Sequence, residues 1–457
     1  MLKIKQVLRM EYFAGSGIPM LPLIFRTCRH LFFIIIFIIP LGCKSPNGPG
    51  GGNRLSVDGV SCTEVWLRIN AGVIPLPSRV TIIRDGQSRY NFALGVRDTV
   101  VYDNTLTPNH TYTYQIHINQ KKDQTITLNT LDTSSNSVSW QRFEFGDKVV
   151  GSRMSDIAII NENNIWAVGQ IYLNDSLGHV DVQPYTVAHW DGKKWTLRKI
   201  FDANNQLMPD LRGILVLGPN DIWLTDGAIH HWDGVSRNML SSYQRIDLIG
   251  GEENGQSVNR LWGKSSNDLY GIGWNGMITH FDGHNWKKLE TGTNLHITDI
   301  HGAMDEITGE MQILATATTN YPSGRAILSI KGNTATSISY EPLIWDLDAI
   351  WFIPNRHYYL AGDGIYEKAS LADSLWENSP SKYTHHSTTK IKGNGINDVF
   401  IVGAYGEVLH FNGASWKSFI SETYLDGTYN NLDVKGNIVA ISGGNGQSGI
   451  VLIGKRK

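Results

Sequence analysis

The chain is short of cysteine, of charge and of long apolar runs, and each shortage excludes something. Three cysteines among 457 residues cannot build a disulfide framework or a thiolate zinc site. Cys28 and Cys43 fall in the N-terminal segment, and Cys62 stands alone in an alternating apolar stretch, where a buried thiol is the expectation. Charged side chains make up 18% of the chain and nearly cancel, at a formal net charge of −2, and no basic run is present that would draw it to nucleic acid. The longest apolar run, residues 31–39, falls short of the roughly 20 residues that a membrane span requires. The pairs His230–His231 and His385–His386 lack a third ligand at usable spacing. No metal and no cofactor is therefore expected.

Ahead of that apolar run lie Lys3, Lys5, Arg9, Arg26 and Arg29 opposite only Glu11, and after it come Pro40-Leu41-Gly42-Cys43. A cationic start, a core of about ten apolar residues and a small residue before the end read as a secretory signal over residues 1–43. Met20 is the alternative start, because the signal is complete without residues 1–19. The Leu41-Gly42-Cys43 ending resembles the lipobox of bacterial lipoproteins. That resemblance implies a lipid on Cys43, export across the inner membrane and an anchor in the cell envelope, on the outer membrane by analogy with Lys44 after the cysteine. Ordinary cleavage and a retained anchor are the alternatives. Residues 44–53, KSPNGPGGGN, contain no apolar side chain and read as a flexible tether.

Residues 54–137 alternate apolar and polar in short runs around 65–69, 80–84, 99–102, 112–118 and 125–128, broken at Asp85-Gly86 and Asn109. Period two at these lengths predicts a two-sheet sandwich. Leu106-Thr107-Pro108 followed by Tyr112 resembles the tyrosine corner of fibronectin type III domains, in which the tyrosine hydroxyl bonds back to the turn; the resemblance makes Trp66 the early core tryptophan. No adhesive loop stands out, so a spacer role is the plain reading.

Residues 138–457 repeat one phrase. Asn267-Asp268-Leu269-Tyr270 precedes His280-Phe281-Asp282-Gly283 and Trp286, and related copies centre on Trp166 with His189-Trp190-Asp191-Gly192, on Trp223 with His231-Trp232-Asp233-Gly234, and on Phe400 with His410-Phe411-Asn412-Gly413. The copies recur every roughly 40–50 residues, the length of a propeller blade. First strands are predicted at 155–160, 211–218, 258–263, 297–302, 347–353, 388–393 and 431–436, with the fourth and fifth units degraded. Seven starts predict an all-β fold with seven blades. The last unit runs out of chain after its third strand, so an orphan strand at 140–145 is expected to complete it and close the ring.

Structural roles come first for the repeated residues. Asp-Gly and Asn-Gly make tight turns, the aromatic after Asn-Asp fills the wedge between sheets, the Asp before it accepts backbone N–H groups, and the recurrent His is structural. First strands line a propeller's channel, so Asp156, Gly213, Arg260, Asp299, Ala349, Lys390 and Asp433, with Trp262, His301, Trp351, Lys392 and Lys435 after them, predict a mixed ring of charges and aromatics. Of these, Asp156, Arg260, Trp262, Asp299, His301, Trp351, Lys390 and Asp433 are the candidate ligand contacts; a neutralised wet channel is the plain alternative. Loops 172–184, 243–256 and 318–324 are further contact candidates.

The repeat resembles the Trp-rich propeller repeats of secreted bacterial proteins and lipoproteins, often found beside fibronectin type III modules. It lacks the Asp box of sialidases and the paired glycines of kelch repeats. The resemblance implies a binding or scaffold protein for an envelope glycan or protein partner. A glycoside hydrolase or lyase at the channel is the alternative, with Asp156, Asp299, Asp348 and Asp433 as its available carboxylates and Arg260 beside them. No catalytic motif rises above the repeat background.

Overall fold

The computed structural model describes residues 54–147, 151–244, 247–248, 255–319, 324–372, 375–378 and 383–457. The signal, lipobox and tether expected over 1–53, including Cys43, lie outside the described residues, as does most of loop 243–256. Among the described residues the fold is all-β, with one four-residue helix, Ile420–Thr423. No described helix is long and apolar enough to cross a membrane.

The first seven strands are β1 (Leu55–Val60), β2 (Val65–Asn70), β3 (Ser78–Arg84), β4 (Gln87–Leu94), β5 (Asp98–Asp103), β6 (Thr111–Ile118) and β7 (Lys121–Asn129). They form one sheet in the order β1-β2-β5 and another in the order β4-β3-β6-β7. Alternation decides what each buries: Val65, Leu67 and Ile69 of β2 meet Val80, Ile82, Tyr114 and Ile116 in one apolar core. The same alternation corrects the expectation for Trp66. It points away from that core, is 5% exposed, and lies under the Arg356 guanidinium at 4.9 Å, in the C-terminal repeats. The Tyr112 hydroxyl accepts the Thr107 N–H at 2.9 Å. Strand β4 gives little signal in the sequence because its residues, QSRYNFAL, are largely polar and mostly exposed.

After β8 (Val138–Phe145) come seven four-stranded antiparallel sheets. Their first strands are Arg153–Asn161, Gly213–Gly218, Val258–Ser265, His296–Met304, Leu347–Ile353, Thr388–Gly395 and Thr428–Lys435. Each packs against the first strand of the next sheet, and the seventh packs against the first. Strand β8 is the outer strand of the seventh sheet, pairing antiparallel with Gly449–Arg456 so that Phe143 faces Val451 and Arg142 faces Leu452. Its two faces serve different neighbours. Phe143 and Phe145 enter the layer shared with the first sheet, and Val138 and Trp140 the layer shared with the sixth. Each large apolar side chain buried this way contributes roughly 1.5–3 kcal/mol.

The repeat phrase has a tighter logic than turn chemistry. In four sheets the aromatic of the second strand sits directly opposite the histidine of the third, as in Trp166 with His189 and Phe400 with His410. The rings stack, with centroids 3.9 Å apart in the first pair and 4.2 Å in the last. The imidazole Nε2 then meets the side chain two residues before the aromatic: Asn164 at 3.0 Å, Asp221 at 3.0 Å, Asp268 at 2.9 Å and Asp398 at 3.0 Å. This corrects the backbone-capping role expected for that Asp. Capping belongs to the Asp of the following turn, where Asp191 accepts the N–H groups of Lys193 and Lys194 and Asp282 those of His284 and Asn285. His230, beside His231, is buried and held between Ser242 and Asp226.

The sandwich and the repeats are joined through one end of the fifth and sixth sheets. Glu64 meets His357 at 2.8 Å, Arg356 donates to the Asp58 carbonyl at 2.7 Å, and Asn397 donates to the Asp132 carbonyl at 2.9 Å. Cys62 is buried there, its thiol 3.1 Å from the Asp132 carbonyl, and burial pushes it up to about 11. A thiol so held is inert at neutral pH.

Candidate functional site

Because successive strands alternate in direction, each sheet has two ends. One carries the starts of the first strands and the turns between second and third strands. The other carries the turns between first and second and between third and fourth strands, and the sandwich grips that end at Arg356, His357, Asn397 and Gly413. A cavity of about 510 Å³ opens at the opposite end. It leads to a narrow space of about 80 Å³ between the first strands, and Arg260 and no other residue lines both.

In the narrow space most charged groups are already engaged. Asp156 accepts the Ile214 N–H at 3.0 Å and Asp299 the Ile350 N–H at 3.2 Å, while Asp433, expected as a ligand contact, lines neither space and accepts the Ile159 N–H at 2.7 Å. Each carboxylate thus staples its own first strand to the first strand of the next sheet, the last one joining the seventh sheet to the first. Lys390 pairs with Asp299, and Lys392 with Asp433 at 3.0 Å. Burial pulls Lys390 down to about 8 against the attraction of Asp299, and raises Asp156 against the attraction of Arg260. For Lys392 burial opposes the charge, but Asp433 and Asp156 outweigh it and raise the group. His301 also lines this space, and burial drives it down to about 4, so it is neutral at physiological pH.

The aromatics separate. Trp262 lines the narrow space with its ring pressed on the backbone of Gly302, where any Cβ would collide with the indole at 2.3 Å. Trp351 is 5% exposed and belongs to the apolar layer between the fifth and sixth sheets, packed on Gly393. It is a wedge residue, which corrects its expected place in the channel wall: a bulky ring at that position is drawn into the apolar gap between sheets rather than into a charged passage.

Of the mouth's lining the sequence singles out Arg260, Asp348 and, in loop 318–324, Thr318 and Thr319, and not the other residues. Arg153 and Arg212 converge on Asp210, at 2.7 and 3.5 Å. Arg212 also reaches Asn259 at 3.0 Å and lies 5.2 Å over the ring of Trp274, which is 46% exposed. Across the mouth, Asp346 accepts the Thr318 hydroxyl at 3.0 Å. Asp348 is raised to about 6 by burial against the pull of Arg260, and no hydrogen bond from a described residue opposes that rise. The one sequence signal for these residues is their position at the entry of first strands, next to the positions already singled out. Among the described residues no group of three or more His, Cys, Asp or Glu could hold a metal ion.

No protein-family model matches the chain, and no curated protein matches it in sequence. Solved structures do match in fold. YCF48 bound to D1 peptide aligns at 16% identity and a TM-score of 0.50, covering 71% of this chain and 98% of that one. The WD40 β-propeller domain of Doa1 aligns at 12% identity and 0.51, over 71% and 98%. A catalytically inactive virginiamycin B lyase from Staphylococcus aureus, with quinupristin, aligns at 10% and 0.50, over 70% and 100%. At these identities the likeness speaks to fold alone. The chain is an all-β protein whose repeats are similar in fold to β-propellers of the YCF48 and WD40 kind.

Proposed function

We propose that this chain is a cell-envelope lipoprotein, acylated at Cys43, in which a fibronectin type III-like sandwich carries a closed seven-bladed β-propeller whose open end binds a protein or peptide. The observation that carries the binding reading is the division between the two ends. One end is held by the sandwich, while the other opens a cavity of about 510 Å³ flanked by Trp274, a large exposed aromatic. Concave sites of that volume with a few polar groups and an aromatic at the edge suit ligand recognition. The YCF48 structure with its bound peptide gives the same fold a peptide-binding precedent. The order of the seven sheets, the β8 pairing and the Tyr112 bond support the two domain assignments. A glycan would meet the same cavity.

Site-specific photo-crosslinking in whole cells tests the binding reading. A photoreactive residue at Trp274 is expected to trap one envelope protein, and the same probe at exposed Val57 of the sandwich is expected not to trap it. Identical products from both positions, or none from Trp274, reject the reading. Lipid labelling that persists in Cys43→Ser rejects the anchor.

The alternative of a carbohydrate-active enzyme is favoured by one observation, the Asp348 carboxyl raised to about 6 beside Arg260 at the mouth, a poise suited to proton transfer near neutral pH. Saccharide turnover abolished by Asp348→Asn would establish it.

A further inference from the structure

The polar groups around the mouth divide into those with partners and those without. The Thr298 hydroxyl donates to the Leu347 carbonyl at 2.7 Å, Thr389 to the Tyr429 carbonyl at 2.5 Å, and Asn430 to the Met154 carbonyl at 3.3 Å, so these side chains stitch first strands together. Arg153 and Arg212 share Asp210. Two groups remain. Arg260 sits where the mouth narrows, and its Nη1 is buried with no hydrogen-bond partner among the described residues. Asp348 lines the same cavity and attracts Arg260 electrostatically, yet no ion pair forms between them.

An unpartnered guanidinium nitrogen out of water is costly, more so than a neutral group in the same state. A ligand that supplied the acceptor would recover it. The mouth also has a direction. Its arginines, Arg153, Arg212 and Arg260, come from the first three sheets, and its carboxylates, Asp346 and Asp348, come from the start of the fifth. A simple anion satisfies Arg260 but is repelled by Asp348 across the cavity. A simple cation has the converse problem. The complementary ligand carries both charges and no net charge.

We propose that the floor of this mouth binds the zwitterionic head group of an amino acid, with its carboxylate on Arg260 and its ammonium on Asp348. The planar fork of Arg260 accepts a carboxylate edge-on through two parallel N–H bonds, which a lysine could not reproduce. Asp348 excludes phosphate and sulfate by like charge. The side chain of the bound amino acid points outward toward Trp274 and His296, whose rings stand 6.0 Å apart at the rim. This site uses the same mouth as the proposed protein contact but does not depend on it.

Isothermal titration of the full chain with each of the twenty L-amino acids at pH 7.5 tests the proposal. At least one is expected to bind saturably. Its methyl ester, which lacks the carboxylate, and its N-acetyl derivative, which lacks the ammonium, are each expected to bind about tenfold more weakly or worse. Arg260→Gln is expected to lose binding by a similar factor, with folding checked by thermal melting. Arg260→Lys should lose part of it. The ligand derivatives need no variant, so a misfolded R260Q leaves the test intact. The proposal fails if none of the twenty binds, if either derivative binds as well as its parent, or if folded R260Q binds unchanged.

Discussion

The sixth and fifth sheets solve the same problem with the same groups in exchanged places. In the sixth, His410 on the third strand stacks on Phe400 and bonds Asp398, two residues before that aromatic. In the fifth, the position two before the aromatic Tyr359 is occupied by His357, and the position opposite Tyr359 by Glu367. His357 stacks on Tyr359 at 5.6 Å, but its carboxylate comes from outside the repeats, from Glu64 of the sandwich. In the regular sheet the carboxylate comes from the sheet itself, with Asn136 of the linking segment meeting His410 at 2.7 Å and Arg456 of the seventh sheet pairing with Asp398, whereas in the irregular one the carboxylate is imported. What reads as decay of the repeat in the fifth sheet is the exchange that lets the sandwich supply its carboxylate, at an end where the regular sixth sheet meets the sandwich too.

Four outcomes would break or sharpen this contrast. The largest effect is expected from deleting β8. If the regular sheets depend on ring closure, removing Val138–Phe145 exposes the seventh sheet's edge and uncovers apolar layers on both sides. The melting temperature should fall by on the order of 20 °C, and an unchanged thermogram would refute closure.

Next comes Glu64→Ala, which strips the fifth sheet of its imported partner and leaves His357 and the Tyr102 and Ser61 hydroxyls without their acceptor. A loss of about 2–4 kcal/mol is expected in denaturant unfolding. Burial opposes ionisation of Glu64, but the bonds and charge of His357 outweigh it and hold the carboxyl below its usual range. A depressed carboxyl stabilises the fold above its unfolded value and ceases to do so as pH falls through its folded value. The difference between E64A and the parent should thus be full at neutral pH and close below about pH 4.5.

His410→Ala is the matched change in the sheet that carries its own carboxylate, and it also takes a partner from Asn136 and Ser134. Asp398 keeps Arg456 and Asn394 as partners, so the expected cost is smaller, about 1–2 kcal/mol. A cost equal to that of E64A would erase the distinction between the two sheets.

Asp348→Asn should act in the opposite direction. A carboxyl raised to about 6 destabilises the folded chain once ionised. The variant should gain about 1–2 kcal/mol at pH 7, discounted because the group borders an open cavity, and the gain should vanish below about pH 4.

Much of this is legible in the sequence. The repeat places every first strand to within a few residues, and the missing fourth strand of the last unit points to residues 140–145, because unpaired edges and strand counts are local facts. Facing and partnership are harder. Trp66 shares its parity with Arg68 and Asn70, which turns it away from the sandwich core, and what covers it, Arg356, is remote in the chain. The partner of His357 lies 293 positions away in the chain, beyond any periodicity. Asp156, Asp299 and Asp433 stand out as charges on channel strands, and they bond neighbouring backbone. Arg260 alone keeps both the position expected of it and an unsatisfied nitrogen.

The pairing of β8 with Gly449–Arg456 bears on how the molecule is made. Gly449–Arg456 follows every other described strand in the chain, and its mate precedes all seven first strands. Until Gly449–Arg456 is made, β8 has no strand to pair with and its edges stay open. A product that stops short of Gly449 leaves β8 without its mate.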